Sequence, residues 1–191
     1  LEAPYLHLGI DTFLSMAPAA YLNSSLPGAS QVVIHEAEGR RRIEIRTGLV
    51  QEQLLLGMYA AMAALAAAGN NLIIDDVILE QRWLQAALSA LRPYRVLFVG
   101  VVCPIEVAEE RERQRGNRVI GMARGYLEHV HQHKLYDLIV DTHALSLDTC
   151  VQRVLSALRA MPARTAFDQL RERSRAVPSS MIREEHHHER Q

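Results

Sequence analysis

Three charged clusters in this sequence have the residue types and spacing that phosphoryl transfer requires. The first is Gly9-Ile10-Asp11-Thr12, directly after the apolar run from Tyr5 to Gly9. A carboxylate at such a turn can accept the proton of a hydroxyl that attacks a γ-phosphate. Asp11 suits a helix N-cap equally, because an acid there satisfies free N–H groups and favours the helix dipole. The second cluster is Ile73-Ile74-Asp75-Asp76-Val77, an apolar strand ending in two acids. One of them can hold Mg²⁺ through water, with Asp75 as the candidate, or position a substrate. Neighbours on a strand point to opposite faces, so only one of the pair readily faces a cleft, and a solvated turn or cap also accounts for both. The third is the run from Glu110 to Arg118, followed by Val119 to Arg124. A helix that breaks into a glycine-containing loop with arginines on both sides makes an arm able to close on a triphosphate. Arg111 and Arg115 share a helix face at i,i+4 and, with Arg118, are the candidates for phosphate contact, whereas Arg113 points to solvent. The alternation of Glu and Arg also fits an ordinary solvated face with weak ion pairs.

The sequence contains no G-x-x-x-x-G-K-[ST] loop. In enzymes that use one, its backbone N–H groups and lysine cradle the β/γ-phosphates and its hydroxyl ligates Mg²⁺. Because Leu1 opens directly into what reads as a second strand, the expectation is that the authentic N-terminus lies upstream. Other chemistry finds less support. His129, His131 and His133 alternate along a helical stretch and so do not share one face. Neither Cys103 nor Ser15 has an identifiable base. Trp83, Met58 and Met62 sit at helical spacing and read as core. His186 to His188 lie in a polar stretch, without the geometry of a preorganised metal site.

The elements that must position these residues alternate between strand and helix. Tyr5 to Gly9, Leu72 to Asp75, Val96 to Val102 and Leu138 to Val140 read as strands, and their continuous apolar character suggests burial on both faces. Between them lie helices over Gly48 to Ala68, Gln81 to Leu91, Pro104 to Gln114, Gly121 to Lys134 and Ser146 to Met161. This rhythm predicts an α/β fold: three layers, with a mostly parallel sheet carrying helices on both faces. One insertion departs from it. Val32 to His35 and Ile43 to Arg46 flank EAEGRR and read as a β-hairpin able to form a lip over a pocket. Residues 1–161 form the expected domain, and residues 162–191, polar and without an apolar period, the expected disordered tail.

With 191 residues, 49% of them hydrophobic, one domain with a proper core is the default. A formal net charge of -1 gives no electrostatic reason to expect nucleic acid or an anionic membrane as partner. Two cysteines, Cys103 and Cys150, lie in an apolar strand end and a helix, as reduced buried thiols do, which points to a cytoplasmic setting. No apolar run approaches the roughly 20 residues of a membrane helix.

GIDTF, LIIDDVIL, the stretch VGVVCPIEVAEERERQRGNRVIGMA and YDLIVDT, in that order, resemble the chloramphenicol 3-O-phosphotransferase family over most of residues 4–160. The resemblance implies a P-loop-kinase-like fold akin to shikimate and adenylate kinases, in which ATP with Mg²⁺ phosphorylates an alcohol of a small molecule. It implies that Asp11 is the catalytic base, Arg115 and Arg118 are lid arginines on the phosphates, and Arg111 is a further family arginine. Asp75 and Asp76 match the family's acidic strand end on the substrate side, and the 32–46 hairpin matches a substrate-side insertion. Asn117 replaces an acid common at that lid position, which is expected to alter lid closure without abolishing it. The resemblance also implies a preceding strand, glycine-rich loop and helix of on the order of 25 residues, with that strand in mid-sheet between those at Leu72 and Val96. The chain without it is expected to be inactive and to fold poorly or aggregate. Two other readings stay open. One is a non-catalytic relative that acts as a binding or partner subunit, and the other a kinase of a nucleotide or sugar-like alcohol.

Overall fold

The computed structural model describes residues 3–37, 39–116, 119–132 and 135–176. In chain order its elements are β1 (Tyr5–Gly9), α1 (Ile10–Leu14), β2 (Gln31–Ala37), β3 (Arg40–Arg46), α2 (Leu49–Ala67), β4 (Asn71–Asp75) and α3 (Gln81–Ala90). β5 (Val99–Val102), α4 (Ile105–Arg115), α5 (Met122–Val130), β6 (Leu138–Asp141), α6 (Leu147–Arg159) and α7 (Ala166–Ala176) follow. This mixed α/β arrangement is compatible with a P-loop-kinase-like fold. Local chemistry sets the helix ends. Gly69, at φ 87°, closes α2 in the left-handed region that a side chain resists, and Gly116, at φ 64°, does the same for α4. Ser146 caps α6 by accepting the Thr149 N–H at 3.2 Å.

β1 and β4 run parallel, in a register that pairs Tyr5 with Asn71 and Gly9 with Asp75. β5 and β6 are likewise parallel, from Val99 with Leu138 to Val102 with Asp141, and β2–β3 is the expected antiparallel hairpin. The parallel sheet is present as two strand pairs: among the described residues β1–β4 and β5–β6 are separate sheets, parted between β4 and β5, where the resemblance places a further strand. No described strand bridges β4 and β5, so the edge of each that faces away from its own partner pairs with no other described strand. Burial on both faces is corrected too. Leu8, Leu72 and Ile74 pack on the core, whereas Ile73 on the other face is 49% exposed, and Val101 and Ile139 in the second pair are 59% and 56% exposed.

The core joins Leu55, Met58 and Met62 of α2 to Trp83, Leu84 and Leu88 of α3, with Phe13 of α1 beside them. Trp83, Met58 and Met62 are therefore core residues, as their spacing indicates. By length and composition α2, with 19 residues, is long and apolar enough to cross a membrane, which corrects the expectation that no apolar run comes close. Its buried stripe is part of this core, the ordinary place of such a helix in a globular domain.

The reading of residues 162–191 as a disordered tail is corrected as far as Ala176. α7 forms there and buries Phe167 and Leu170 in the main core. Thr165 and Asp168 make a reciprocal capping box at its start: the Asp168 carboxylate accepts the Thr165 N–H at 3.0 Å, and the Thr165 hydroxyl accepts the Asp168 N–H at 3.3 Å. Asp137 fastens the same end, accepting the Ala166 N–H at 2.7 Å and the Phe98 N–H at 2.8 Å. The histidine triplet, His186 to His188, lies outside the described residues.

Candidate functional site

Parallel pairing brings the acidic candidates to one place. Because Gly9 and Asp75 are register partners at the C-terminal ends of β1 and β4, Asp11, Asp75 and Asp76 all follow the same end of one strand pair. Open α/β sheets bind ligands at such strand ends. Asp11 is exposed in the first turn of α1, and the N-cap is Gly9, so the cap reading is corrected: Asp11 complements the helix dipole without being the cap itself. Asp75 is exposed at the last position of β4. Asp76 turns inward, where the Tyr59 hydroxyl donates to its carboxylate at 2.7 Å. Burial pushes the Tyr59 phenol far above its ordinary range, and the Asp76 charge adds to this, so the phenol stays a donor. The two neighbouring acids thus take different surroundings, one in solvent and one tied to the core.

The arginine candidates are presented by α4. Pro104 opens this helix at the end of β5, and its fixed φ suits the position before a first turn. Arg111 reaches the end of β6, donating to the Thr142 hydroxyl and to the Thr142 carbonyl, each at 2.8 Å. It therefore braces a strand end with part of its guanidinium fork. Arg113 pairs with Glu110 at 2.6 Å on the exposed face, in keeping with a solvent role. Arg115 is exposed in the last turn and makes no side-chain hydrogen bond or ion pair among the described residues. Arg118 and Asn117 lie outside the described residues. The structure thus gathers Asp11, Asp75 and Asp76 at one strand pair and sets Arg111 and Arg115 along α4, beyond the ends of the other.

Sequence reasoning missed three polar residues that hold this framework. Glu112, 5% exposed, accepts the Gly121 N–H at 2.7 Å and the Ala123 N–H at 2.9 Å, so it caps the start of α5 from within α4. Its neighbours Glu110 and Arg113 are exposed, and only the helix register separates it from them. Tyr59 was hidden in an apolar helix. Asp141 accepts the His143 and Ala144 N–H groups at 2.8 and 3.1 Å, and those bonds hold its carboxyl below the usual carboxylate range. An acid at the end of a fourth strand was the signal available for that one.

No three His, Cys, Asp or Glu side chains gather as a metal cage among the described residues. A Mg²⁺ ion carried by a nucleotide would need only one or two carboxylates, its remaining ligands coming from phosphate and water. The paired acids after β4 are suited to this. The model of the chloramphenicol phosphotransferase-like proteins matches residues 1–159. The chain belongs to this family. Two Mycobacterium tuberculosis proteins, from strains CDC 1551 / Oshkosh and ATCC 25618 / H37Rv, each bear the name "Putative O-phosphotransferase". Each is 30% identical to this member of the family over 172 residues, 88% of the chain and 76% of the relative. A kinase-type transferase family is therefore the setting in which the acids and arginines are to be read.

Proposed function

We propose that the protein is an ATP- and Mg²⁺-dependent O-phosphotransferase acting on a hydroxyl of a small molecule, of the chloramphenicol type by family. The observation that carries this reading is the register of β1 on β4, which sets Asp11 beside the acidic end of β4. Asp11, exposed at that end, accepts the proton of the acceptor hydroxyl as its oxygen bonds to the γ-phosphorus. ATP supplies the phosphoryl group, and the bond from γ-phosphorus to the β,γ-bridging oxygen breaks to release ADP. Arg115, which has no other side-chain partner among the described residues, stabilises the phosphate charge together with Arg118. Arg111 holds α4 against Thr142 while offering its remaining donors to the same anion. Asp76, steadied by Tyr59, positions the acceptor, and Asp75 is the residue that would hold Mg²⁺ through water.

The test is a MgATP assay of the native gene product, its N-terminus read by mass spectrometry, with chloramphenicol and a panel of nucleoside and sugar alcohols as acceptors. A phosphate ester formed only with MgATP is expected, and Asp11→Asn is expected to cut turnover by about 10² to 10⁴ with nucleotide affinity little changed. Near-normal turnover in Asp11→Asn sinks the base assignment. A folded protein that phosphorylates none of these sinks the kinase reading. A second reading, as a non-catalytic subunit that pairs with another chain, draws on the exposed Ile73, Val101 and Ile139 of the strands. It predicts concentration-dependent folding with no nucleotide binding.

A further inference from the structure

The hairpin and the arginine-bearing helix meet through α5. Two glycines allow the contact. A Cβ on Gly121 would lie 2.8 Å from the Arg41 carbonyl oxygen, and one on Gly125 would overlap the Ile43 carbonyl oxygen. The Ile43 N–H donates to the Gly121 carbonyl at 2.9 Å, so the backbone of β3 lies directly on the start of α5. Ile43 is 1% exposed, the most buried residue of the hairpin. On its other side α5 is held to α4 by the buried Glu112 carboxylate and by the Arg124–Glu109 ion pair at 2.7 Å. Buried carboxylates persist only where such donors meet them, and here both are backbone N–H groups of a helix start.

We propose that Gly125 and Glu112 are positioning residues that lock the β2–β3 hairpin to α4, so that the acceptor-side hairpin and the phosphate-side arginine Arg115 respond as one body. In its functional part this rests on the reading above. Helix propensity argues against Gly125, since alanine is the better residue in the interior of α5. Close approach of two backbones is what the glycine permits instead. Gly125→Ala therefore separates two effects that most substitutions confuse: it favours the helix and forbids the docking. Glu112→Gln keeps the side-chain length but turns an amide N–H₂ toward one of two backbone donors.

Hydrogen exchange by mass spectrometry on the full chain tests the lock without any need for turnover. In Gly125→Ala the amides of residues 40–46 are expected to lose protection about tenfold, the equivalent of one lost hydrogen-bonded contact. Those of residues 126–130 stay protected, and so do those of residues 58–62 and 84–88 in the core. In Glu112→Gln both the hairpin and α5 loosen, and in the control Glu110→Gln neither does. Hairpin protection unchanged in Gly125→Ala overturns the inference, and so does an equal loss in the core. Kinetics of the native gene product and its variants with MgATP and chloramphenicol supply the second arm. Gly125→Ala is expected to raise the acceptor KM with the ATP KM unchanged, and Glu112→Gln to raise both. Equal effects on both constants in Gly125→Ala overturn the positioning role. A wild type without turnover defeats the kinase reading and leaves the exchange result to decide the lock.

Discussion

Asp75 and Asp76 are identical in type and adjacent in sequence, yet one is exposed and the other takes a hydrogen bond from a buried phenol. The acids themselves were legible because strands that end in carboxylates stand out against apolar runs. Tyr59 was not, because its target lies 17 residues away and only folding brings α2 beside the end of β4. Tyr59→Phe removes the donor while keeping the ring, so the Asp76 carboxylate loses a charge-assisted bond. The expected cost is about 1 to 3 kcal/mol in urea unfolding, with a raised KM for the acceptor if Asp76 positions it. A variant as stable as wild type would show that water replaces the phenol at no cost. A second residue-scale expectation concerns pH. Asp168 is held below the usual carboxylate range, first by the Thr165 N–H and then by the Thr165 hydroxyl and Arg171, and Asp141 by its two backbone donors. A carboxylate with a depressed folded pKa stabilises the fold above its unfolded value, and that contribution fades as pH falls through the folded one. Stability should therefore decline below about pH 4, where unfolded carboxylates begin to bind protons. Asp168→Asn should flatten this decline in denaturant titrations at successive pH values.

At the scale of elements, local signals gave most of the helices and the hairpin, because caps and apolar spacing are written within a few residues. The strands β1 and β4 were legible in the same way. α7 shows where that approach fails. Its composition, AFDQLRERSRA, is dominated by charge, and judged by composition it belongs to a tail. The Thr165-x-x-Asp168 capping box and the i,i+3 pair of Phe167 and Leu170 were the evidence for a docked helix. Two apolar residues on one face suffice because α3 offers them a core to enter. Phe167→Ala should accordingly lower the unfolding free energy by about 3 to 5 kcal/mol, the range for emptying a buried aromatic site. Thermal or urea denaturation checks it. A change within about 0.5 kcal/mol, the ordinary effect of a surface substitution, would return the segment to the tail it first resembled.

At the scale of the molecule, the alternation of strand and helix announced an α/β fold but could not announce which strands hydrogen-bond to which. Pairing is non-local, and four similar apolar runs fit several sheets equally well. Among the described residues the structure shows a pair of two-stranded parallel sheets, with the edges of β4 and β5 not joined to each other. Parallel sheets are ordinarily covered on both faces, yet Ile73, Val101 and Ile139 are about half or more exposed here. Open edges beside exposed aliphatic side chains are the combination that recruits further strands. The 191-residue chain is therefore expected to self-associate as its concentration rises through the micromolar range, seen as sedimentation coefficients that climb with loading. Lysine at Ile73 and Val101 should suppress this, because a charge on such a face must be desolvated for another strand to cover it. Both positions are already half in water, so the double variant should unfold at nearly the same denaturant concentration as wild type. Association that persists in the double variant would place the sticky surface elsewhere, whereas a wild type monomeric at every concentration would mean that these side chains are too scattered to act as one patch.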